Sequence, residues 1–352
     1  TFVQNHHLAV KYYELVPKKD LSLTDKVSLN DNLIIHGDNL KALKALLPTY
    51  AGKVKCIYID PPYNTGNERW VYNDNVNSPM MQEWLGKVVD REDLTRHDKW
   101  LCMMMPRLKL LRELLREDGV IFVSIDDNEV ANLRKIMDEI FGEENFIGQF
   151  VWKCKHGGGG DSPYIVNEHE YILFYSKAIS ELPELFCPPP PGYEKMFRLE
   201  DKFGQYYLDR LDKKGIDANR PNLIYPIKCP DGSIKDISPA IWRLSKDELN
   251  RRKELGQVEF KKDKNGEWQI YTKTYLYDEL GELRKVKARS VLKQEVVGFT
   301  QNGNKEIIEI FGEKIFQNPK PVNLLKFLFG IITSKNNHDL ILDSFAGSGT
   351  TA

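Results

Sequence analysis

Asp60-Pro61-Pro62-Tyr63 follows directly on the apolar run VKCIYI. Neither proline has an N–H, so neither can continue a central strand. Together they set a rigid, extended turn at the strand's carboxyl end, the edge at which open α/β sheets bind ligands. The turn groups the Asp60 carboxylate, the Pro61 carbonyl and the Tyr63 ring. Two acceptors and an aromatic face suit a planar base with an exocyclic amino group, such as an adenine extruded from a duplex. A plain strand-ending turn with a buried tyrosine accounts for the same four residues. A second group, Asp343-Ser-Phe-Ala-Gly-Ser-Gly-Thr-Thr351, also follows an apolar run. Its glycines would let a ligand approach the backbone closely, and a helix start would follow. An ordinary β–α turn explains that pattern as well.

The elements that must position these groups follow from periodicity. Residues 33–35 (Leu-Ile-Ile) and 54–60 (VKCIYID) are short β-rich runs, and NLKALKALLPTY between them has helical spacing. That is a β-α-β pattern, hence a parallel sheet. An amphipathic helix is predicted from about Lys99 to Glu117, broken by Asp118-Gly119, with a buried strand over 120–126. Asp127 or Asn128 is placed to cap a helix that runs to Phe141 and ends at Gly142. Further strands are expected at 150–154, 170–177 and 339–345, a helix over 319–333, and a capping box at Ser245–Glu248. The tetraglycine 157–160 reads as a flexible link or as a mobile loop beside a site.

Composition bounds the partners. The chain has 352 residues, is 41% hydrophobic and 29% charged, and carries a formal charge of −1. Any nucleic-acid surface must therefore be a local patch. No run of about 18 apolar residues could span a membrane. Five scattered cysteines without a CxxC pair argue against structural zinc and a disulfide framework, and a reducing cytoplasm is the expectation. His36, His156 and His169 lack metal-ligand spacing, so no metal is expected. Pro188–Pro191 is a plausible domain boundary. Beyond it Arg284, Lys285, Lys287, Arg289 and Lys293 cluster within ten positions.

Taken together, the motifs resemble the amino-methyltransferase family, in which an (N/D/S)PP(Y/F/W) element and an FxGxG element share one sheet. Here DPPY comes first and FAGSG last, the order of the beta class of DNA methyltransferases. His36-Gly37-Asp38-Asn39 is similar to the family's GD(N/C) element, and Asn318-Pro319-Lys320-Pro321 to the one preceding its glycine loop. DPPYNTGNE, PRLKLLRELLREDGVIFVSIDDNEV and NEHEYILFYSK resemble the modification subunits of type III restriction–modification systems. The likeness covers about residues 31–178 and 284–352. It implies an α/β, Rossmann-like S-adenosylmethionine-dependent methyltransferase sheet with an inserted α+β target recognition domain. The implied division is an N-terminal extension over 1–30, the DPPY half over 31–180, target recognition over 181–300, and the cofactor half over 301–352.

The implied reaction is methyl transfer to N6 of a flipped adenine in duplex DNA, in a prokaryotic cytoplasm. Asp60, Pro61, Pro62 and Tyr63 would be catalytic. Phe345, Gly347 and Gly349 would line the donor's methionine side, with Asp343, Ala346 and Thr350 also binding the cofactor. Asp38, with Asn39, would meet its adenine, and Lys320 and Pro321 its carboxylate. Arg284, Lys285, Lys287 and Arg289 would contact phosphates. A homodimer and a restriction subunit with translocase and nuclease activities are the implied partners. Cytosine-N4 or RNA methylation, or a catalytically silent DNA-specificity module, are the alternatives. The absence of a Pro-Cys pair disfavours cytosine-C5 chemistry. Only three residues follow Gly349 and the chain opens on Thr1. The expectation is a fragment with an incomplete cofactor site and weakened cofactor affinity.

Overall fold

In the computed structural model the described residues are 2–24, 26–65, 96–155, 157, 164–213, 220–238, 240–334 and 337–352. The chain divides into two compact units: Thr1–Cys187 with Lys287–Ala352, and Pro188–Val286. The inserted unit thus starts at the proline run and is narrower than 181–300.

The first unit is built on a six-stranded mixed sheet. Its elements in chain order are α1 (Phe2–Ala9), α2 (Asn39–Tyr50), β1 (Val54–Ile59), α3 (Arg96–Leu114), β2 (Leu115–Ile125), α4 (Val130–Phe141), β3 (Phe146–Lys153) and β4 (His169–Ser176). The inserted unit contains β5 (Leu199–Asp201), β6 (Gly204–Arg210), β7 (Asp212–Lys213), β8 (Ile227–Lys228), β9 (Ile234–Lys235), β10 (Ile241–Trp242), α5 (Lys246–Glu254), β11 (Val258–Lys262) and β12 (Trp268–Tyr275). The chain then returns to the first unit with β13 (Val291–Leu292), α6 (Gln294–Val297), α7 (Thr300–Phe311), α8 (Val322–Ile332) and β14 (Leu340–Leu342).

The large sheet runs β13-β3-β4-β2-β1-β14. β1 pairs in parallel with β2 and β14, whereas β4 is antiparallel to β2 and β3. Every β1 side chain is buried, as expected of a central strand covered on both faces. Alternation divides the two cores. Ile57, Ile59, Ile121, Val123, Leu173 and Tyr175 join one cluster with Leu43 of α2, Trp100, Leu108 and Leu111 of α3, and Leu133 of α4. On the other face Phe122 stacks on Phe174 at 4.3 Å, and Tyr58 and Phe150 meet Phe329 and Phe327 of α8 edge-on at 6.4 Å. Each such large side chain contributes about 1.5–3 kcal/mol by leaving water.

The expected strand at 33–35 is coil. Ile34 is 92% exposed while Ile35 packs on the core, and the stretch is not hydrogen-bonded into the sheet. Nor does α3 reach Glu117: it ends at Leu114 and passes straight into β2. The register on β1 jumps from Val54↔Leu115 to Cys56↔Val120, so residues 116–119 form a bulge rather than a break. Gly119 is required there, because a Cβ would sit 2.8 Å from the Arg116 carbonyl and 2.9 Å from that of Val54. α4 starts at Val130 with Glu129, not Asp127 or Asn128, at its cap position; Asp126 instead accepts from the Asn128 N–H at 2.9 Å. Of the tetraglycine, 158–160 lie outside the described residues, as does His156.

In the inserted unit β11-β12-β6-β5 form an antiparallel sheet. Leu211, Tyr225, Ile227, Trp242, Leu249 and Ile270 make its core. Ser245 caps α5 by accepting from the Glu248 N–H at 3.3 Å. The Glu248 side chain turns to Arg251 and Arg252 rather than back to the cap, so the box is only half formed.

Candidate active site

β1 and β14 are adjacent and parallel, so their carboxyl ends bring Asp60-Pro61-Pro62-Tyr63 and the Asp343 loop to the same sheet edge. Trp100 of α3 donates its indole N–H to the Pro62 carbonyl at 2.7 Å, pinning the double-proline turn. Lys320 then closes the site from the segment between α7 and α8. Gly303 of α7 lets that segment come close: a Cβ there would meet the Pro319 carbonyl oxygen at 2.4 Å. Glu306, one turn on, accepts the Val322 N–H that opens α8, at 3.0 Å.

Lys320 is buried, 9% exposed. Its ammonium lies 2.9 Å from Asp60 Oδ2 and 3.3 Å from Glu170 Oε2, and donates to the Tyr63 hydroxyl at 2.9 Å. Tyr63 in turn donates to Glu170 Oε2 at 2.9 Å. An ammonium has three N–H donors, and these three partners use them. In this structure its charge is directed to Asp60 and Glu170. Burial alone would lower the Lys320 pKa, but the carboxylates of Asp60 and Glu170 outweigh it and hold the lysine charged. For Asp60, burial dominates and raises the carboxyl above its usual range despite Lys320. Burial, reinforced by Asp60 and Glu170, likewise pushes the Tyr63 phenol well above 10.0.

Asp60 Oδ1 is buried and has no hydrogen-bond partner among the described residues. An unmet buried acceptor costs about 1–3 kcal/mol, a cost that a ligand amino group would remove.

Asp343 organises the glycine loop. It accepts from the Phe345 N–H at 2.9 Å and the Thr351 hydroxyl at 2.6 Å. Burial raises its carboxyl to about 6 against those two donors, with the Asp60 charge adding to the rise. The Thr350 hydroxyl donates to the Lys320 carbonyl at 3.1 Å, tying the loop to the lysine segment. Gly347 and Gly349 have φ of 56° and 76°, left-handed values that favour glycine. A Cβ on Gly349 would meet open space, and Ala346 is exposed beside it. Asp38 caps α2, accepting from the Lys41 N–H at 3.1 Å. Asn39 donates to the Ser344 carbonyl at 3.0 Å and accepts from Arg107 at 2.7 Å, which joins α2 and α3 to the loop. Ser344 Oγ is a further buried polar atom without a partner among the described residues.

Glu170, Trp100, Arg107, Gly303 and Glu129 were not singled out by sequence reasoning. Glu129 is fully buried. It takes the His97 ring nitrogen at 2.7 Å, the Asn132 amide at 2.8 Å and the amide of Asn64, the residue after Tyr63. The signal for Gly303 was an isolated glycine inside a helical pattern, which marks close packing. Glu170 carried none, since a glutamate at a strand start reads as solvated. The basic cluster is dispersed in its contacts. Arg284 donates to the Tyr275 carbonyl at 2.8 Å, Lys285 is 3.6 Å from Glu282, and Lys287 is 2.5 Å from Glu184, while Arg289 is exposed. No group of histidine, cysteine and carboxylate side chains among the described residues could hold a metal, and none of the described helices is long and apolar enough to cross a membrane.

A DNA methylase family model, N6_N4_Mtase, matches residues 54–352. The chain belongs to this DNA methylase family. It is 34% identical to the type II methyltransferase M.KpnI of Klebsiella pneumoniae, over 95% of this chain and 78% of that one. Identity is also 34% to the EcoPI Mod subunit, from a type III restriction-modification enzyme of Escherichia phage P1, over 96% of this chain and 58% of that subunit. The StyLTI Mod subunit of Salmonella typhimurium is 33% identical over 96% of this chain and 52% of its own length. The DNA methylase chain described here thus spans little more than half of those Mod subunits. Among solved structures, the M1.HpyAVI–SAM complex aligns over 45% of this chain and 58% of its own at TM-score 0.26 and 15% identity, so the family rests on sequence.

Proposed function

We propose that this chain transfers a methyl group from S-adenosylmethionine to the N6 amino group of an adenine extruded from duplex DNA. One observation carries the reading: Asp60, which opens the Asp60-Pro61-Pro62-Tyr63 turn at the end of β1, keeps a buried acceptor oxygen without a partner among the described residues. Adenine N6 is a poor nucleophile because its lone pair is delocalised into the ring. Asp60 Oδ1 and the Pro61 carbonyl would accept its two hydrogens and favour a pyramidal nitrogen. Tyr63 would stack on the base. Positioning and fixed charge then supply most of the acceleration.

The glycine loop fits a nucleotide-like donor, given the open space at Gly349 and a Ser344 hydroxyl without a partner among the described residues. When bound, the donor would supply an activated sulfonium methyl: N6 gains the methyl as the S–CH3 bond breaks, S-adenosylhomocysteine is the leaving group, and one N6 proton is released to solvent. Phe345, Ala346, Gly347, Gly349 and Thr350 would hold its methionine side, shaped by Asp343. Asp38, Asn39 and Pro321 complete the proposed pocket. The identity to Mod subunits supports a role as modification subunit, with a homodimer and a restriction subunit as partners. Arg284, Lys285, Lys287 and Arg289 are proposed to meet phosphates. Asp at the first position of the motif favours adenine over cytosine. The test is tritiated methyl transfer to unmodified duplex DNA, followed by nucleoside analysis. N6-methyladenine is expected; label found only in N4-methylcytosine would overturn the reading.

A further inference from the structure

We infer that Lys320 is a positioning residue for the methyl-accepting base: by taking Asp60 Oδ2 it leaves Oδ1 as the single free acceptor. This rests on the function proposed above and specifies how its acceptor is set. A carboxylate on a turn can rotate and present either oxygen. Here Oδ2 is held by the ammonium at 2.9 Å, while Oδ1 has no partner among the described residues. The ammonium is itself over-determined. Glu170 Oε2 at 3.3 Å and the Tyr63 hydroxyl at 2.9 Å fix its other donors, and it lies 4.9 Å from the Tyr63 ring centre and 5.8 Å from that of Trp152. Lys320 therefore couples the acceptor oxygen of Asp60 to the orientation of the Tyr63 ring, the two features a flipped base would use. Its backbone is held as tightly, through Pro319 against Gly303 and the Lys320 carbonyl accepting from Thr350.

The charged and titratable groups facing Asp60 are Lys320, Glu170, Tyr63, Tyr58 and Asp343. Only Lys320 among them is cationic; burial and Glu170 favour protonation of Asp60, Lys320 is the largest influence against it, and a Tyr63 hydrogen bond adds to that opposition. Lys320→Met should lower the single-turnover methyl-transfer rate about 100-fold, the scale of losing one preorganised group. It should move the acid limb of the rate profile up by at least about one pH unit, and leave S-adenosylmethionine affinity unchanged in calorimetry. Lys320→Arg should keep the acid limb in place and recover part of the rate. Weakened donor affinity with an intact saturated rate would overturn the inference and return Lys320 to the donor's carboxylate.

A second readout needs no turnover. In reductive methylation with peptide mass mapping, Lys320 should resist modification in the parent while exposed Lys285 reacts. It should become reactive once Asp60→Asn and Glu170→Gln remove its partners. Lys320 labelled as fast as Lys285 in the parent would refute the assigned contact. A parent that forms no N6-methyladenine would sink the proposed function, and the labelling pattern would still decide whether Lys320 holds Asp60.

Discussion

Two lysines in this chain sit between paired carboxylates and tyrosines, one in each compact unit. In the inserted unit Lys273 lies 2.6 Å from Asp201 and 3.7 Å from Glu259, with its ammonium 4.7 Å from the Tyr206 ring centre. Tyr275 and the Phe203 N–H also donate to Asp201, and Tyr206 donates to Glu259, whose other oxygen is 3.3 Å from Lys261. Every carboxylate oxygen there is engaged. The charge at Asp201 is stabilised: burial works against it, but Lys273, the Phe203 N–H and Tyr275 outweigh that and lower its pKa. Around Lys320 the same residue types leave Asp60 Oδ1 unmet, and burial prevails, so the Asp60 pKa rises. A closed network fastens β5, β6, β11 and β12 together. An open one holds hydrogen-bonding capacity in reserve. Residue types alone do not separate the two; the unspent acceptor does.

The comparison is sharpest at the tyrosines. Tyr63→Ala should cut methyl transfer roughly 10- to 100-fold, the scale of one base–aromatic stack. Tyr206→Ala should leave transfer per folded molecule unchanged while costing about 2–4 kcal/mol in urea unfolding, as for a buried ring. Equal losses of transfer from both would break the distinction.

Gly303→Ala tests whether the open centre depends on close approach of α7. The added methyl must displace the Pro319 carbonyl. A destabilisation of about 1–3 kcal/mol is expected, with transfer lowered roughly tenfold as Lys320 is moved off Asp60. An unchanged rate would mean that the lysine's position is not critical.

Asp343 offers a pH-resolved test. In the folded protein its carboxyl titrates at about 6 against the usual 3.8. Between those values the folded state binds more protons than the unfolded state, so this group's contribution to stability falls as pH rises. It is fully present below about pH 4 and lost above about pH 6, a change of up to about 3 kcal/mol. Asp343→Asn should flatten that part of the stability profile in denaturant titrations at pH 4, 5, 6 and 7. A parallel pair of curves would show that the carboxyl is not perturbed.

The smallest effects belong to the basic residues. Replacing Arg284, Lys285, Lys287 or Arg289 with alanine should each lower the slope of log affinity against log salt by about one, in anisotropy titrations with duplex DNA. Lys285 and Lys287 must first leave Glu282 and Glu184, so the loss of affinity at a fixed salt concentration should be smaller for them than for Arg289. An unchanged slope for all four would remove them from the DNA surface.

Much of the site was legible because it is written in local constraints. Two prolines after an apolar run can only end a buried strand, and α2 spans the same twelve residues its periodicity predicts. The unit boundary at Pro188 coincides with the proline run. Other features depend on partners remote in sequence. Leu33-Ile34-Ile35 has β-forming residues yet is not paired into the sheet. The α3–β2 junction is decided by a bulge against Val54, which no pattern within 115–119 reveals. Lys320 shows the limit most clearly. Its motif placed it near the site, but only the positions of Asp60, Tyr63 and Glu170 reveal the ion pairs and hydrogen bond it makes.

The free oxygen of Asp60 is proposed as the functional acceptor. Asp60→Ala, assayed side by side with the parent for N6-methyladenine formation and for S-adenosylmethionine binding, tests it most directly. Transfer should be abolished, with donor affinity within about threefold of the parent, a difference under about 1 kcal/mol. N6-methyladenine made at the parental rate by Asp60→Ala would show that Asp60 is not the acceptor.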